Sequence, residues 1–327
     1  MNVAVVVEGG IAETLQATPL LRTFRAGVPD AHITLLCAPE ALAVAGGIAA
    51  VDLAVAVPGL RERPPVDVAA RAWFQLRRRR YDAVLLCGTS AALRWAVFLS
   101  GIPRRLGVGG GLTSVLLTRR TLRSAGENLA ASWLRVAALA GIRQELHSPL
   151  FEPGPEARRE AERLVHVSGF GDGRLLVALA PGTPRDGAAA SESWDSERFA
   201  HLANLLSSRH GAGIVFLGAF SDRPLVDRIL LDLGASAVDL SGQLDVPVTG
   251  GVLARCDLLV AGDSFLLHLA AAVGTPAVGL YGPTDGGQRG PYGADHRIIQ
   301  AVPRDGSPGR LEQIRVEDVL ASIEASL

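Results

Sequence analysis

Apolar residues in this chain fall into short unbroken runs, and amphipathic stretches separate one run from the next. Asn2–Val7, His32–Cys37, Val51–Val57, Tyr81–Cys87 and Arg105–Val108 read as strands. Runs this continuous belong to strands covered on both faces, as in a parallel sheet. Between them the spacing predicts a helix from Thr14 carrying Leu15, Leu20, Leu21 and Phe24, and a second at Pro39–Ala45. Further helices are predicted at Ala69–Arg80, with Trp73, Phe74 and Leu76 inside, at Ala91–Leu99, and at Glu127–Ala140, stopped by Gly141. The pattern loosens at HSPLFEPGPE, where three prolines and a glycine suggest a linker.

A second alternating series follows. Its strands are Arg174–Ala180, Gly213–Leu217, Ala237–Leu240, Leu258–Val260, Ala277–Tyr281 and Arg297–Gln300. Its helices are Glu156–Val167, Phe199–Ser207, Leu225–Leu233, Pro247–Ala254, one beginning at Asp263 or Ser264, and Val316–Ile323. Strands alternating with helices predict an α/β fold with mainly parallel sheets. Two such halves predict two Rossmann-like domains, 1–150 and 151–327, facing a cleft, with the C-terminal helix a candidate to pack back on the first domain.

The densest stretch is Cys256–Asp285, CDLLVAGDSFLLHLAAAVGTPAVGLYGPTD. A strand ends at Gly262, and Asp263 or Ser264 can cap the next helix. Gly274 suits its left-handed C-terminal position, and Pro276 stops it. In an open parallel sheet ligands sit beyond the C-terminal strand ends, where helix N-termini point N–H groups outward. Asp263, Ser264, His268 and the Gly282-Pro283-Thr284-Asp285 loop all belong to that edge. A capping Asp and a half-buried His account for the spacing equally well. Thr183 and Ala219–Asp222 follow strands ending at the same edge. In the first half Gly9 and Gly10 let backbone approach a ligand, and Glu13 enters the helix there as a candidate general base or a plain complement to the helix dipole.

Composition narrows the classes. The chain has 327 residues, 48% hydrophobic and 20% charged, enough for two cores and far from disorder. A net charge of -1 argues against a nucleic-acid partner. Cys37, Cys87 and Cys256 are far apart in apolar runs and read as buried reduced thiols. The start MNVAVVVEGG reads as a first strand, not a signal peptide, and no apolar run reaches the roughly 18 residues that span a bilayer. The expected place is the cytoplasm, with peripheral contact at the inner face of the membrane left open. Arg77–Arg80 reads as a solvated, dipole-favoured helix end rather than a phosphate site. The chain has no Walker loop, no complete G-x-G-x-x-G after the first strand, no G-x-S-x-G elbow and no metal-ligand spacing.

GGIAETLQATPLLRTFRAGVPDAHITLL, YDAVLL, SESWDSERFAHLANLL, FLGAFSD, LSGQLDVP and above all GDSFLLHLAAAVGTPAVGLYGPTD resemble glycosyltransferase family 9, the heptosyltransferases of lipopolysaccharide core assembly. The resemblance spans almost the whole chain. It implies the GT-B fold, with acceptor bound by the first domain and nucleotide sugar by the second. It implies inverting transfer without a metal or other cofactor, from a donor such as ADP-heptose to a glycan, lipid-linked or small-molecule hydroxyl. Asp263, Ser264 and His268 match the donor-binding turn, with Ser264 on the diphosphate and His268 on the leaving nucleotide. Thr183 matches a hydroxyl near the phosphates and Asp222 the acid that binds a ribose hydroxyl. Glu13 stands where the family has an Asp proposed as general base. Phe265 replaces the glycine of the donor turn, and Glu192 stands in the place of a phosphate-neutralising Lys, a charge that Arg185 or another Arg would have to supply. Two alternatives stay open: a non-catalytic relative that binds a sugar nucleotide or a partner, and a GT-B-type sugar-nucleotide epimerase.

Overall fold

Among the described residues twelve strands form two all-parallel sheets, one in each of two compact units, Met1–Glu152 and Pro153–Leu327. The computed structural model describes residues 1–60, 66–143, 147–170, 173–182, 194–293, 295–303 and 308–325. Thr183, Arg185 and Glu192 lie outside them.

The first sheet contains β1 (Asn2–Val7), β2 (His32–Cys37), β3 (Leu53–Ala56), β4 (Ala83–Cys87), β5 (Arg104–Val108) and β6 (Arg119–Thr121), ordered β3-β2-β1-β4-β5-β6. Val5 lies between Leu35 and Leu85, so the central strand is walled by apolar neighbours. The chain reverses direction of build between β1 and β4, which leaves a crevice beyond their C-terminal ends. The second sheet contains β7 (Leu176–Ala180), β8 (Gly213–Phe216), β9 (Ala237–Asp239), β10 (Leu258–Gly262), β11 (Ala277–Tyr281) and β12 (His296–Gln300), ordered β12-β11-β10-β7-β8-β9. Its reversal falls between β7 and β10.

Several expected elements are differently placed. The helix foreseen from Thr14 is two: α1 (Ile11–Gln16) starts directly after Gly10, and α2 (Thr18–Gly27) restarts with Pro19 in its first turn. Proline is tolerated there because first-turn N–H groups have no intrahelical partner. After the short α3 (Leu42–Ala45), α4 runs Val66–Arg77 and buries Val68, Ala69, Ala72 and Leu76. Trp73 and Phe74, expected inside, are exposed. At about 100° per residue the 68/72/76 stripe fills the sheet-facing side and carries position 74 to the far side. The expected linker is also partly docked. Phe151 is buried in the first unit, its ring where a Cβ on Gly47 would stand, and Glu152 N–H donates to the Gly47 carbonyl.

The remaining first-unit helices are α5 (Ala91–Leu99) and α6 (Leu129–Leu139), the latter capped by Asn128. The second unit holds α7 (Pro155–Val167), α8 (Ser196–His210), α9 (Arg223–Leu231), α10 (Val246–Leu253), α11 (Phe265–Val273), α12 (Gly286–Arg289) and α13 (Val316–Glu324). The last of these buries Val316, Val319, Leu320 and Ile323 in the second unit's own core. Trp194 Nε1–H and an Arg198 guanidinium N–H donate to the Ile314 carbonyl just before it. The apolar stripe expected to pack back on the first domain is therefore used within the second. Cys37, Cys87 and Cys256 are buried free thiols; burial first, then Glu40 for Cys37 and Asp257 for Cys256, pushes those two up to about 12. Among the described residues no helix is long and apolar enough to cross a membrane.

Candidate functional site

In the second unit the groups gather at the C-terminal edge of β7, β8, β10 and β11. Ser264 leaves β10 in extended conformation, and its Oγ accepts the Leu266 N–H at 3.3 Å, making it the N-cap of α11. Gly274 ends this helix in left-handed conformation, φ +86°, and Thr275 Oγ1 donates to the Leu253 carbonyl at 2.7 Å. α11 is thus fixed at both ends, and its N-terminus opens beside the crevice between β7 and β10.

His268, on the second turn, is 4% exposed. Burial first, then the charges of Arg289 and His296, drive its pKa down to about 3. At neutral pH the imidazole is uncharged: it can donate a hydrogen bond and cannot supply a positive charge. Asp263 is half-buried at the β10–α11 junction.

Two further groups meet this cluster. Tyr281 ends β11 with no exposure, its ring lying where Cβ atoms on Gly279 and Gly286 would stand, 2.7 and 2.6 Å away. Its hydroxyl has no hydrogen-bond partner among the described residues. Burial, then Asp263, raises the phenol pKa, and Arg289 opposes the rise. Arg289, at the end of α12, is half-buried and acts electrostatically on both Tyr281 and His268. Neither was singled out by sequence spacing. The one signal was a phenol closing an otherwise aliphatic strand. The Gly282–Asp285 loop is stapled: Gln300 Oε1 accepts the Gly286 N–H at 3.0 Å and Gln300 Nε2 donates to the Gly282 carbonyl at 2.7 Å. Asp285 caps α12 by accepting the Gln288 N–H at 3.2 Å, and Thr284 is half-buried beside it.

Asp222 bridges the ends of β7 and β8. Its Oδ2 accepts the Ala219 N–H at 2.7 Å, and the carboxylate lies where Cβ atoms on Gly182 and Gly218 would stand. Both glycines are needed for that approach. The second-unit edge therefore unites Asp222, Asp263, Ser264, His268, Gly282 and Thr284 with Tyr281 and Arg289.

The first unit has its own edge cluster. Glu13 Oε2 accepts the Gly10 N–H at 2.8 Å, and its carboxylate covers Gly9 so closely that a Cβ there would meet Cγ at 2.4 Å. Gly9 also sits at φ +137°, a conformation side chains rarely adopt. The helix-dipole role anticipated for Glu13 is therefore present as a specific cap. It leaves the carboxylate at the sheet edge. Glu8, not anticipated, spans the β1–β4 reversal: its Oε2 accepts the Thr89 and Ser90 N–H groups at 2.6 and 3.0 Å, at the start of α5. Buried Arg94 donates to the Val108 carbonyl at 3.0 Å and to Thr113 Oγ1 at 3.1 Å, pinning the loop after β5. Glu8 partly offsets the cost of burying that guanidinium. Among the described residues no three His, Cys, Asp or Glu side chains form a metal-ligand group.

Comparison with known proteins agrees with this geometry. The model of glycosyltransferase family 9 (heptosyltransferase) matches residues 69–319. Lipopolysaccharide heptosyltransferase 2 of Escherichia coli K12 is 25% identical over 313 residues, covering 92% of this chain and 88% of that protein. A family 9 glycosyl transferase from Veillonella parvula superposes with a TM-score of 0.84 at 20% identity, covering 99% of this chain and 96% of the other. The E. coli ADP-heptose lps heptosyltransferase II structure superposes with a TM-score of 0.77 at 21% identity, covering 100% and 98%. The fold is GT-B, the parallel sheets and their reversal points lie where such a fold needs them, and the match runs through both units: the chain is a glycosyltransferase belonging to family 9.

Proposed function

We propose that this protein transfers a sugar, heptose or a close relative, from an ADP-linked donor to a hydroxyl of a lipopolysaccharide-core acceptor, with inversion and without a metal. The donor belongs to the second unit and the acceptor to the first. The single observation that carries this reading is the second-unit edge, where an open helix N-terminus, a neutral buried imidazole, an arginine and a carboxylate converge at the strand-order reversal. The relatives' names, lipopolysaccharide heptosyltransferase and ADP-heptose lps heptosyltransferase, supply the substrate class.

Glu13 accepts the proton of the acceptor hydroxyl while that oxygen bonds to the anomeric carbon. The bond from that carbon to the donor phosphate breaks, and its electron pair leaves with the nucleoside diphosphate. The Gly10 N–H steadies the Glu13 carboxylate in the orientation it needs. Charge growing on the diphosphate falls to the N–H groups at the start of α11, the His268 N–H and Arg289. Ser264 already caps α11, so its contribution to the phosphate comes through backbone as much as hydroxyl. Asp222 receives a ribose hydroxyl, and Thr183 a phosphate oxygen. The reaction takes place in the cytoplasm.

The test is Glu13→Gln. Glutamine keeps an oxygen for the Gly10 N–H and loses the basicity, so kcat should fall by about 100-fold or more with the melting temperature unchanged. Near-wild-type turnover removes Glu13 from the chemistry. A second reading, a non-catalytic nucleotide-sugar binder, draws on the half-buried Phe265 at the donor turn. Calorimetric donor binding without product in the wild type would select it.

A further inference from the structure

α4 and α5 pack side by side on one face of the first unit's sheet, their inner stripes Val68, Ala72, Leu76 and Leu93, Val97 joining a single core. The outer face of such a helix is ordinarily polar. Here it presents Trp73 at 37% exposure, Phe74 at 53%, Trp95 at 48%, Phe98 at 41% and Leu99 at 58%. The 3-10 turn Leu112–Leu116, packed against α5, adds the exposed Leu112 and Val115. Scattered exposed apolar side chains are ordinary. Large ones gathered on two adjacent helices make a patch of the kind that marks an interface.

Arginine is woven into this patch. The Arg77, Arg78 and Arg105 guanidinium carbons stand 5.8, 5.5 and 5.3 Å from the ring centroids of Trp73, Phe74 and Phe98. Arg79 and Arg80 follow, and among the described residues none of Arg77–Arg80 is ion-paired. Among the described residues the acids nearest in sequence have other partners: Asp67 pairs with Arg71 at 3.3 Å, and Asp82 accepts the Asn2 N–H. The chain's net charge of -1 conceals a division. Residues 1–152 hold 17 arginines and 11 acids, a net +6, and residues 153–327 hold 15 arginines and 22 acids, a net -7.

We propose that the outer face of α4 and α5 seats on an anionic lipid bilayer, the rings entering the headgroup layer and the arginines meeting lipid phosphates. Aromatic side chains and basic residues together are the combination that favours a membrane interface. A guanidinium lying over a ring places charge and apolar surface at one depth. Beside Phe74, a shallow pocket of about 420 Å³ has Ala56, Val57, Pro58, Ala70 and Trp73 for apolar walls, with Arg71 and Gln75 also lining it, a place for an acyl segment below a charged headgroup. A second copy of the chain fits less well, because a two-fold contact through this face would set its arginines against themselves.

The full-length protein is sedimented with vesicles of phosphatidylcholine, with and without phosphatidylglycerol, at low and high salt. Binding should require phosphatidylglycerol, weaken with salt, and blue-shift the emission of Trp73 and Trp95. Arg77→Gln with Arg78→Gln should lower partitioning by about tenfold or more. Phe74→Ser with Trp95→Ser should lower it comparably, while Arg158→Gln with Arg159→Gln on α7 should leave it unchanged. All six positions are exposed, so folding is not at risk. Binding indifferent to phosphatidylglycerol, or lost equally in the α7 variant, overturns the proposal. So does a concentration-dependent dimer in analytical ultracentrifugation that Phe74→Ser with Trp95→Ser abolishes.

Discussion

The hydroxyl of Tyr281 sits in the interior with no hydrogen-bond partner among the described residues, and such a group costs about 1–3 kcal/mol of lost solvation. A protein keeps that cost where a ligand repays it. Tyr281→Phe separates the two possibilities cleanly. If no ligand meets the hydroxyl, the variant is as stable as the parent or more so, and donor affinity does not change. If it meets the donor, the variant is stabilised and donor affinity drops by about fivefold to tenfold, read by calorimetry. Glu13 shows the reverse economy: one carboxylate caps its own turn and still stands at the sheet edge. Spacing suggested Glu13 as a candidate base and also as a helix-end residue; the structure shows the second role, in the bond from the Gly10 N–H, and the first is the proposal that Glu13→Gln tests. Glu8 was not legible because its partners, Thr89 and Ser90, follow a strand some eighty residues on. Tyr281 and Arg289 lie close by in sequence, but spacing does not show that a strand-end phenol and a short helix's last residue turn toward the cluster of Asp263 and His268.

Among elements, α11 is the one whose position most constrains the chemistry. Ser264 closes its first turn and Gly274 its last. Ser264→Ala removes the cap and should cost about 1 kcal/mol of stability, seen in urea unfolding. If the same hydroxyl also serves the donor, affinity falls by more than the stability loss explains. The boundaries of α11 and of the central strands were readable because glycine, proline and continuous apolar runs mark them. β6, Arg119–Thr121, was not, since an edge strand of three residues carries no apolar run. On α4 Leu76 is buried as expected, and Trp73 and Phe74 were misplaced for a different reason. Trp73 and Phe74 are its bulkiest apolar side chains, yet the stripe of smaller residues fits the sheet, and side-chain bulk alone does not say which face a helix turns inward.

At the scale of the molecule, two complete α/β units were legible from alternation alone. The docking of Phe151 on the first unit was hidden behind its flanking prolines, and the fate of the C-terminal helix depended on Trp194 and Arg198 reaching Ile314. Acid should weaken the second unit. Burial depresses the pKa of His268, to about 3, and also that of His296. Between about pH 6.5 and that depressed value the unfolded chain holds protons the folded chain lacks, so stability falls as pH falls through this window and is fully present above it. Each proton contributes a slope of up to about 1.4 kcal/mol per pH unit. Urea melts taken from neutral to mildly acidic pH should show the decline, and His268→Asn should flatten it. An unchanged slope in that variant would mean the imidazole already carries its proton in the folded state.

The three thiols, shut inside and held protonated by burial, leave the folded surface chemically silent toward polar maleimides and iodoacetamides. A single cysteine introduced at an exposed position, such as Leu99 on α5 or Arg158 on α7, would then take a dye or spin label without removing any native residue from the core. The native sequence thus serves as its own blank for site-directed labelling, and reporter placement becomes a matter of choosing one outward-facing residue at a time.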